Sequence, residues 1–172
     1  MKTNLIACML AVAITTMAIP STAQRKKNKN SAHRETSILK LYEGPELPVE
    51  QTVHLICKTS PRQYLYFIGI DELKINNQSL TTGPHEVLLL PGKHVIKVRF
   101  VSKGEIAIPI EPFDYFNFQA GRTYHIKFEY APGNGGYIDN ASTTQIRLWM
   151  EEQDRDSVLM EKNVNGFGKS IE

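Results

Sequence analysis

The chain of 172 residues carries 20 Lys or Arg, 18 Asp or Glu and two cysteines, for a formal charge of +2. That charge is unevenly spread: residues 25–34 hold five basic side chains and no acidic one, whereas from Glu35 onward 14 basic residues face 18 acidic ones, a formal −4. A mildly acidic domain behind a basic leader gives no support to nucleic-acid binding.

Lys2, the mostly apolar stretch 5–19 and the small-x-small run Ser21-Thr22-Ala23 predict a signal peptide over 1–23, cut after Ala23. The stretch is short for a bilayer span of about 20 residues, so the expected location is the periplasm or the outside of the cell. Leu5-Ile6-Ala7-Cys8 looks like a lipobox, but too few residues precede Cys8 to form an apolar h-region, and lipid anchoring there is not expected. A mature chain of about 149 residues suits one domain with a real core. Its one remaining cysteine, Cys57, cannot form an intrachain disulfide, so the fold must rest on apolar packing. Residues 24–37 have no hydrophobic period and read as a disordered basic leader. It is either a solvated spacer or a weak contact with an anionic envelope surface.

Residues 38–42 form a short first strand, ended by Glu43-Gly44-Pro45-Glu46-Leu47-Pro48, where Gly and Pro interrupt regular structure. Residues 53–57 make an apolar, central second strand, and 64–70 (Y-L-Y-F-I-G-I) a third. Beyond Ile70 the chain turns at Asp71-Glu72 and resumes as a strand to Ile75. Residues 86–90 and 94–101 flank Pro91-Gly92, which suits a type II turn and predicts a hairpin. Along 94–101, His94, Ile96, Val98 and Phe100 share one face, the period of two expected of a strand with one wet side. Pro109 and Pro112 make 105–112 an irregular or edge strand. Residues 113–118 alternate aromatic and polar side chains before Ala120-Gly121, a second hairpin turn into 123–130, where Tyr124, Ile126, Phe128 and Tyr130 share a face. Residues 144–150 form the last clearly alternating strand, with Ile146, Leu148 and Met150 inward. The domain is thus expected over 38–151. Residues 152–172 read as a polar tail ordered at most around 158–160, with nothing ordered after Asn165.

Seven or eight short strands joined by Gly/Pro turns, with no amphipathic helix, predict an all-β fold: an antiparallel β-sandwich or partly open barrel. The segments L-Y-E-G-P-E-L-P, F-I-G-I-D, L-L-P-G-K-H-V-I-K-V and A-G-R-T-Y-H-I-K resemble those of small exported bacterial envelope proteins. The resemblance covers about residues 39–130 and implies an immunoglobulin-like or PEGA-like sandwich. It brings no catalytic residues with it. Such proteins tend to have Asp-Gly where this chain has Asp71-Glu72, so a different turn is expected there.

Motifs for chemistry are few. The chain has no G-x-S-x-G, H-E-x-x-H, Walker loop or G-x-G-x-x-G. His85 and His94 are too far apart in the expected hairpin to form a metal pair, and no cofactor or metal is expected. Asp71-Glu72, and Asp139 beside the loop P-G-N-G-G, are the carboxylates a small hydrolase would use. Cys57, in an apolar run, reads as a core residue. Tyr64, Tyr66, Phe113, Tyr115 and Phe116 are the candidate binding residues, since exposed aromatics on a sandwich stack on sugars or join protein interfaces; the competing reading is that they fill the core. The function expected is non-catalytic binding or structural contact at the cell envelope, with an envelope protein or a glycan as partner. A small hydrolase and a small-ligand carrier are the alternatives.

Overall fold

The computed structural model of the chain describes residues 38–75, 80–102, 106–134, 141–155 and 157–171; the expected signal peptide, leader and Asp139 lie outside them. The described residues form twelve strands: β1 (Leu39–Lys40), β2 (Val53–Cys57), β3 (Gln63–Ile70), β4 (Leu73–Lys74), β5 (Glu86–Leu89), β6 (Gly92–His94), β7 (Ile96–Ser102), β8 (Ile106–Pro109), β9 (Phe116–Phe118), β10 (Arg122–Ala131), β11 (Gln145–Glu152) and β12 (Val158–Asn165). Six of them make a sheet in the order β1-β5-β2-β10-β11-β12, four make a second in the order β4-β3-β7-β8, and β6 pairs with β9 alone. The fold is all-β and sandwich-like. Among the described residues the count exceeds seven or eight in part because β6 is separate from β7 and β12 forms where a polar tail is expected.

The period of two does its work in β7 and β10. Ile96, Val98 and Phe100 of β7 are buried, as are Tyr124, Ile126 and Phe128 of β10. They meet Val53, Leu55 and Cys57 from β2, Leu65 and Phe67 from β3, and Ile146, Leu148 and Met150 from β11 in one continuous core. Phe100 packs across the two sheets, with ring centroids 5.1 Å from both Phe128 and Tyr130. Each fully buried aliphatic or aromatic side chain in such a layer contributes about 1.5–3 kcal/mol.

The pairing differs from the expected all-antiparallel one. Both β1–β5 and β2–β10 are parallel. Parallel neighbours need a long crossover, and the whole four-stranded sheet lies in the chain between β2 and β10. Neither Gly turn closes a hairpin between its flanking strands. β5 pairs with β2 and β1, while β7 pairs with β3 and β8 in the other sheet, so Pro91-Gly92 carries the chain from one sheet to the other. Gly92 has φ +139° there, a conformation that glycine alone takes readily. Likewise β9 pairs with β6 instead of β10. The turn at Asp71-Glu72 does close the expected antiparallel pair, with Ile70 opposite Leu73. Asp71 has φ 51° and Glu72 is not among the positive-φ residues, so a type I′ turn, which needs both, is not formed.

The C-terminal segment departs most from expectation. Instead of a polar tail, β12 runs for eight residues along β11, burying Val164 completely. Beyond it the chain stays ordered: the Ile171 amide donates to Asn163 O at 2.9 Å, and the Glu111 amide to Gly168 O at 2.8 Å. Ser170 donates through its backbone and side chain to the Glu111 carboxylate. The tail thereby ties the edge of the six-stranded sheet to the segment following β8. Its sequence alternates weakly because only Val164 is fully covered, while Leu159 and Met160 pack half-buried against the core.

Candidate binding cleft

Three turns converge on one cleft of about 430 Å³, lined by Leu41, Tyr42, Glu43, Ile70, Asp71, Glu72, Leu73, Leu89, Leu90 and His94. Each wall follows from local sequence. Gly44, at φ +98° with open space around it, turns the chain after β1, and the Leu47 amide donates to the Tyr42 hydroxyl at 3.2 Å. The Asp71-Glu72 turn brings Leu73 back beside Ile70. The crossover after β5 places Leu90 at the mouth. Ile70 and Leu89 are buried at the base, whereas Leu73 and Leu90 are 52% and 45% exposed.

The polar end of the cleft is built around Asp71. One carboxylate oxygen lies 2.7 Å from His94 Nδ1 and the other accepts the Val95 amide at 2.8 Å. Its backbone amide donates to Val95 O at 2.9 Å, and its carbonyl accepts the Lys97 ammonium. Desolvation pushes the Asp71 carboxyl upward, but the hydrogen bonds from His94 and Val95, with the charges of His94 and Lys97, outweigh it and hold the group below its ordinary value. His94 Nε2 points at Leu90 O, 3.0 Å away, and its ring lies 6.2 Å from that of Phe118.

A histidine oriented by an aspartate is half of a nucleophile-activating arrangement. Here the other ring nitrogen faces a backbone carbonyl, so it offers no lone pair to a nucleophile. Among the described residues no group of three or more His, Cys, Asp or Glu is placed to hold a metal ion. Cys57 is buried, and burial pushes its thiol well above the ordinary value, the opposite of an activated nucleophile.

The five aromatics singled out in the sequence do not form one surface. Tyr64, Tyr66 and Phe113 are 9%, 0% and 5% exposed. Segment 80–81 crosses the outer face of the four-stranded sheet, and Tyr64 and Tyr66 donate their hydroxyls to Thr81 O at 2.5 Å and Leu80 O at 2.8 Å. Arg99 donates to the Tyr66 hydroxyl at 3.1 Å. With Val101, the two tyrosines form a small second core. Phe113 belongs to the main core and Phe116 packs half-buried against Phe118 and Tyr124. Tyr115 alone projects, at 73% exposure. His85 meets Tyr64 edge to face at 5.6 Å, with Nδ1 2.6 Å from Leu65 O, and His54 lies 3.3 Å from Glu86.

Sequence reasoning missed Leu73 and Leu90 as a pair. The signal available was that the segments L-Y-E-G-P, F-I-G-I-D and L-L-P-G-K-H each hold a turn; their convergence needed the topology. It also passed over Trp149, which alternation places opposite Ile146, Leu148 and Met150. Trp149 donates its indole N–H to Glu151 at 2.6 Å and stacks under Arg147. A second concavity of about 590 Å³ opens beside Arg147, with Glu129, Tyr130, Gln145, Asn163 and Ile171 around it. Its charges are already matched, since Arg147 grips Glu161 through two hydrogen bonds of 2.7 and 3.0 Å and lies 3.6 Å from Glu129. The apolar cleft is therefore the stronger candidate.

Fold and cleft together define an all-β protein with an apolar cleft and a histidine–aspartate pair at its polar end. Compared with protein-family models, curated proteins and solved structures, the chain matches none.

Proposed function

We propose that this chain is a non-catalytic binding protein of the bacterial cell envelope, taking an apolar segment of a partner protein in the cleft between Leu73 and Leu90. The observation that carries the reading is that these two leucines stand exposed on opposite walls above the buried Ile70 and Leu89. Exposed leucines flanking a concave apolar floor are the kind of surface that a partner covers. Charge narrows the partner. The lining includes three carboxylates, of which Asp71 is engaged by His94 and Val95 while Glu43 and Glu72 stand exposed at the rim. A segment presenting an aliphatic or aromatic side chain next to Lys or Arg complements both features. The envelope location rests on the signal-like stretch over residues 1–23, and the resemblance to small exported envelope proteins supports it.

The hydrolase alternative would recruit Asp71, and the engagement of His94 Nε2 by Leu90 O speaks against it. A glycan partner has Tyr115 as its lone projecting aromatic among the five considered.

The test is site-specific photocrosslinking in the native envelope from positions 73 and 90, with position 169 on the C-terminal tail as control. The expected outcome is one protein captured from 73 and 90 and not from 169, with the capture from 90 lost on Leu73→Asp and that from 73 lost on Leu90→Asp. Capture that survives both substitutions, or that comes equally from 169, would sink the reading.

A further inference from the structure

We propose that the Leu90 wall of the cleft is held in place by a proton on His94, so that binding in the cleft is proton-linked. The inference rests on the binding reading for its second half only. Both ring nitrogens of His94 face atoms that can only accept: an Asp71 carboxylate oxygen at 2.7 Å from Nδ1 and the Leu90 carbonyl oxygen at 3.0 Å from Nε2. A neutral imidazole has one N–H and the imidazolium has two. The observed arrangement is therefore satisfied on both sides only when the ring is doubly protonated.

Removal of the proton has unequal consequences on the two sides. The bond to the carboxylate is charge-assisted and is the stronger one, so the remaining hydrogen stays on Nδ1. Nε2 then turns a lone pair toward the lone pairs of the Leu90 carbonyl, and that contact becomes repulsive. Asp71 is tied down by the Val95 amide and the Lys97 ammonium, whereas Leu90 is followed by Pro91, which has no amide hydrogen, and by Gly92 at φ +139°. The yielding side is thus the Leu90 peptide, and Leu90 is a wall of the cleft.

The charged groups around the ring come from four places. Asp71 and Glu72 lie on the turn after β3, Glu43 on the turn after β1, Lys97 on β7 and Lys93 on β6 itself; β9 contributes the apolar ring of Phe118. Among these, only Asp71 is hydrogen-bonded to the ring, and it stays ionised throughout the range in which histidine titrates.

The experiment follows the histidine ring nitrogens by long-range ¹H–¹⁵N spectra between pH 5 and 8.5, with the Leu90 and Gly92 amides in the same samples and Nile red as a probe of the apolar cleft. The expected result is a doubly protonated His94 at low pH. The two amides should shift with the midpoint of its ring, and Nile red binding should change several-fold across the same midpoint. His94→Gln should abolish the pH dependence of the dye, and His125→Gln on the outer sheet face should leave it intact. A single neutral tautomer at every pH, or amides of Leu90 and Gly92 that ignore the ring, overturns the latch. Amides that follow the ring while Nile red binds at no pH overturn the link to binding and the cleft reading beneath it, leaving the latch itself supported.

Discussion

Gly168 lies so close to Pro109 that a Cβ at position 168 would collide with the Pro109 carbonyl oxygen. The glycine also has φ +76°, so two separate constraints favour it. Replacing it with alanine should cost about 2–4 kcal/mol, from the left-handed backbone and the overlap together. Gly44→Ala is the informative comparison: its φ of +98° is equally unusual, but nothing lies within 4 Å, and about 1 kcal/mol is expected. Urea denaturation of both variants measures the difference, and equal losses would mean that the tail does not clasp the β8 edge.

The cover over Tyr66 can be tested by removing one oxygen. Tyr66→Phe deletes the hydroxyl that donates to Leu80 O and accepts from Arg99. A loss of about 1–2 kcal/mol is expected, since two half-buried hydrogen bonds are removed at once. Tyr115→Ala, at a 73% exposed position, should change stability by less than about 0.5 kcal/mol. A large effect at Tyr115 in the isolated protein would show that its ring is packed.

Acid should weaken the cleft through Asp71. Its carboxyl titrates below the ordinary value in the folded protein, so the unfolded chain takes up the proton first as pH falls. The stability it contributes is therefore fully present above the unfolded-state value and is lost as pH drops through the folded one. Asp71→Asn should flatten that part of the profile. Thermal melts of both proteins from pH 7 down to pH 2.5 read it directly, and parallel curves would dismiss the contribution.

At neutral pH the leucine variants should separate binding from folding. Leu90→Asp changes a 45% exposed side chain and Leu73→Asp a 52% exposed one, so each should shift stability by no more than about 1 kcal/mol. The capture of the partner should nevertheless be lost. Melting curves beside the crosslinking yields decide it: a variant that loses capture only because it unfolds lends no support.

The alternation in β7 and β10 was legible because each strand has one dry face, and a period of two reports a dry face directly. Partner choice was not. Pro91-Gly92 dictates how the backbone bends at that point, yet β5 and β7 both offer apolar faces that can line either side of the core, so a hairpin and a crossover look alike locally. Tyr64 and Tyr66 share a face of β3, as alternation implies, but their cover comes from segment 80–81, whose carbonyls accept their hydroxyls, and nothing local in the sequence announces that contact. In the cleft, Asp71 was visible as a turn residue and His94 as a strand residue, not as a pair, since 23 positions and a change of sheet separate them.

The parallel pairing of β2 with β10 sets an order of events for the newly made chain. Val53 finds its neighbour in Arg122, so a strand emerging early waits for one synthesised much later, with the four-stranded sheet in between. Until β10 arrives, β2 has an unprotected edge of alternating Val, Leu and Cys, the sort of strand that pairs with the wrong neighbour. Assembly of this sheet should therefore be slow for a protein of its size, and a folding helper that shields β2 would matter most in that interval.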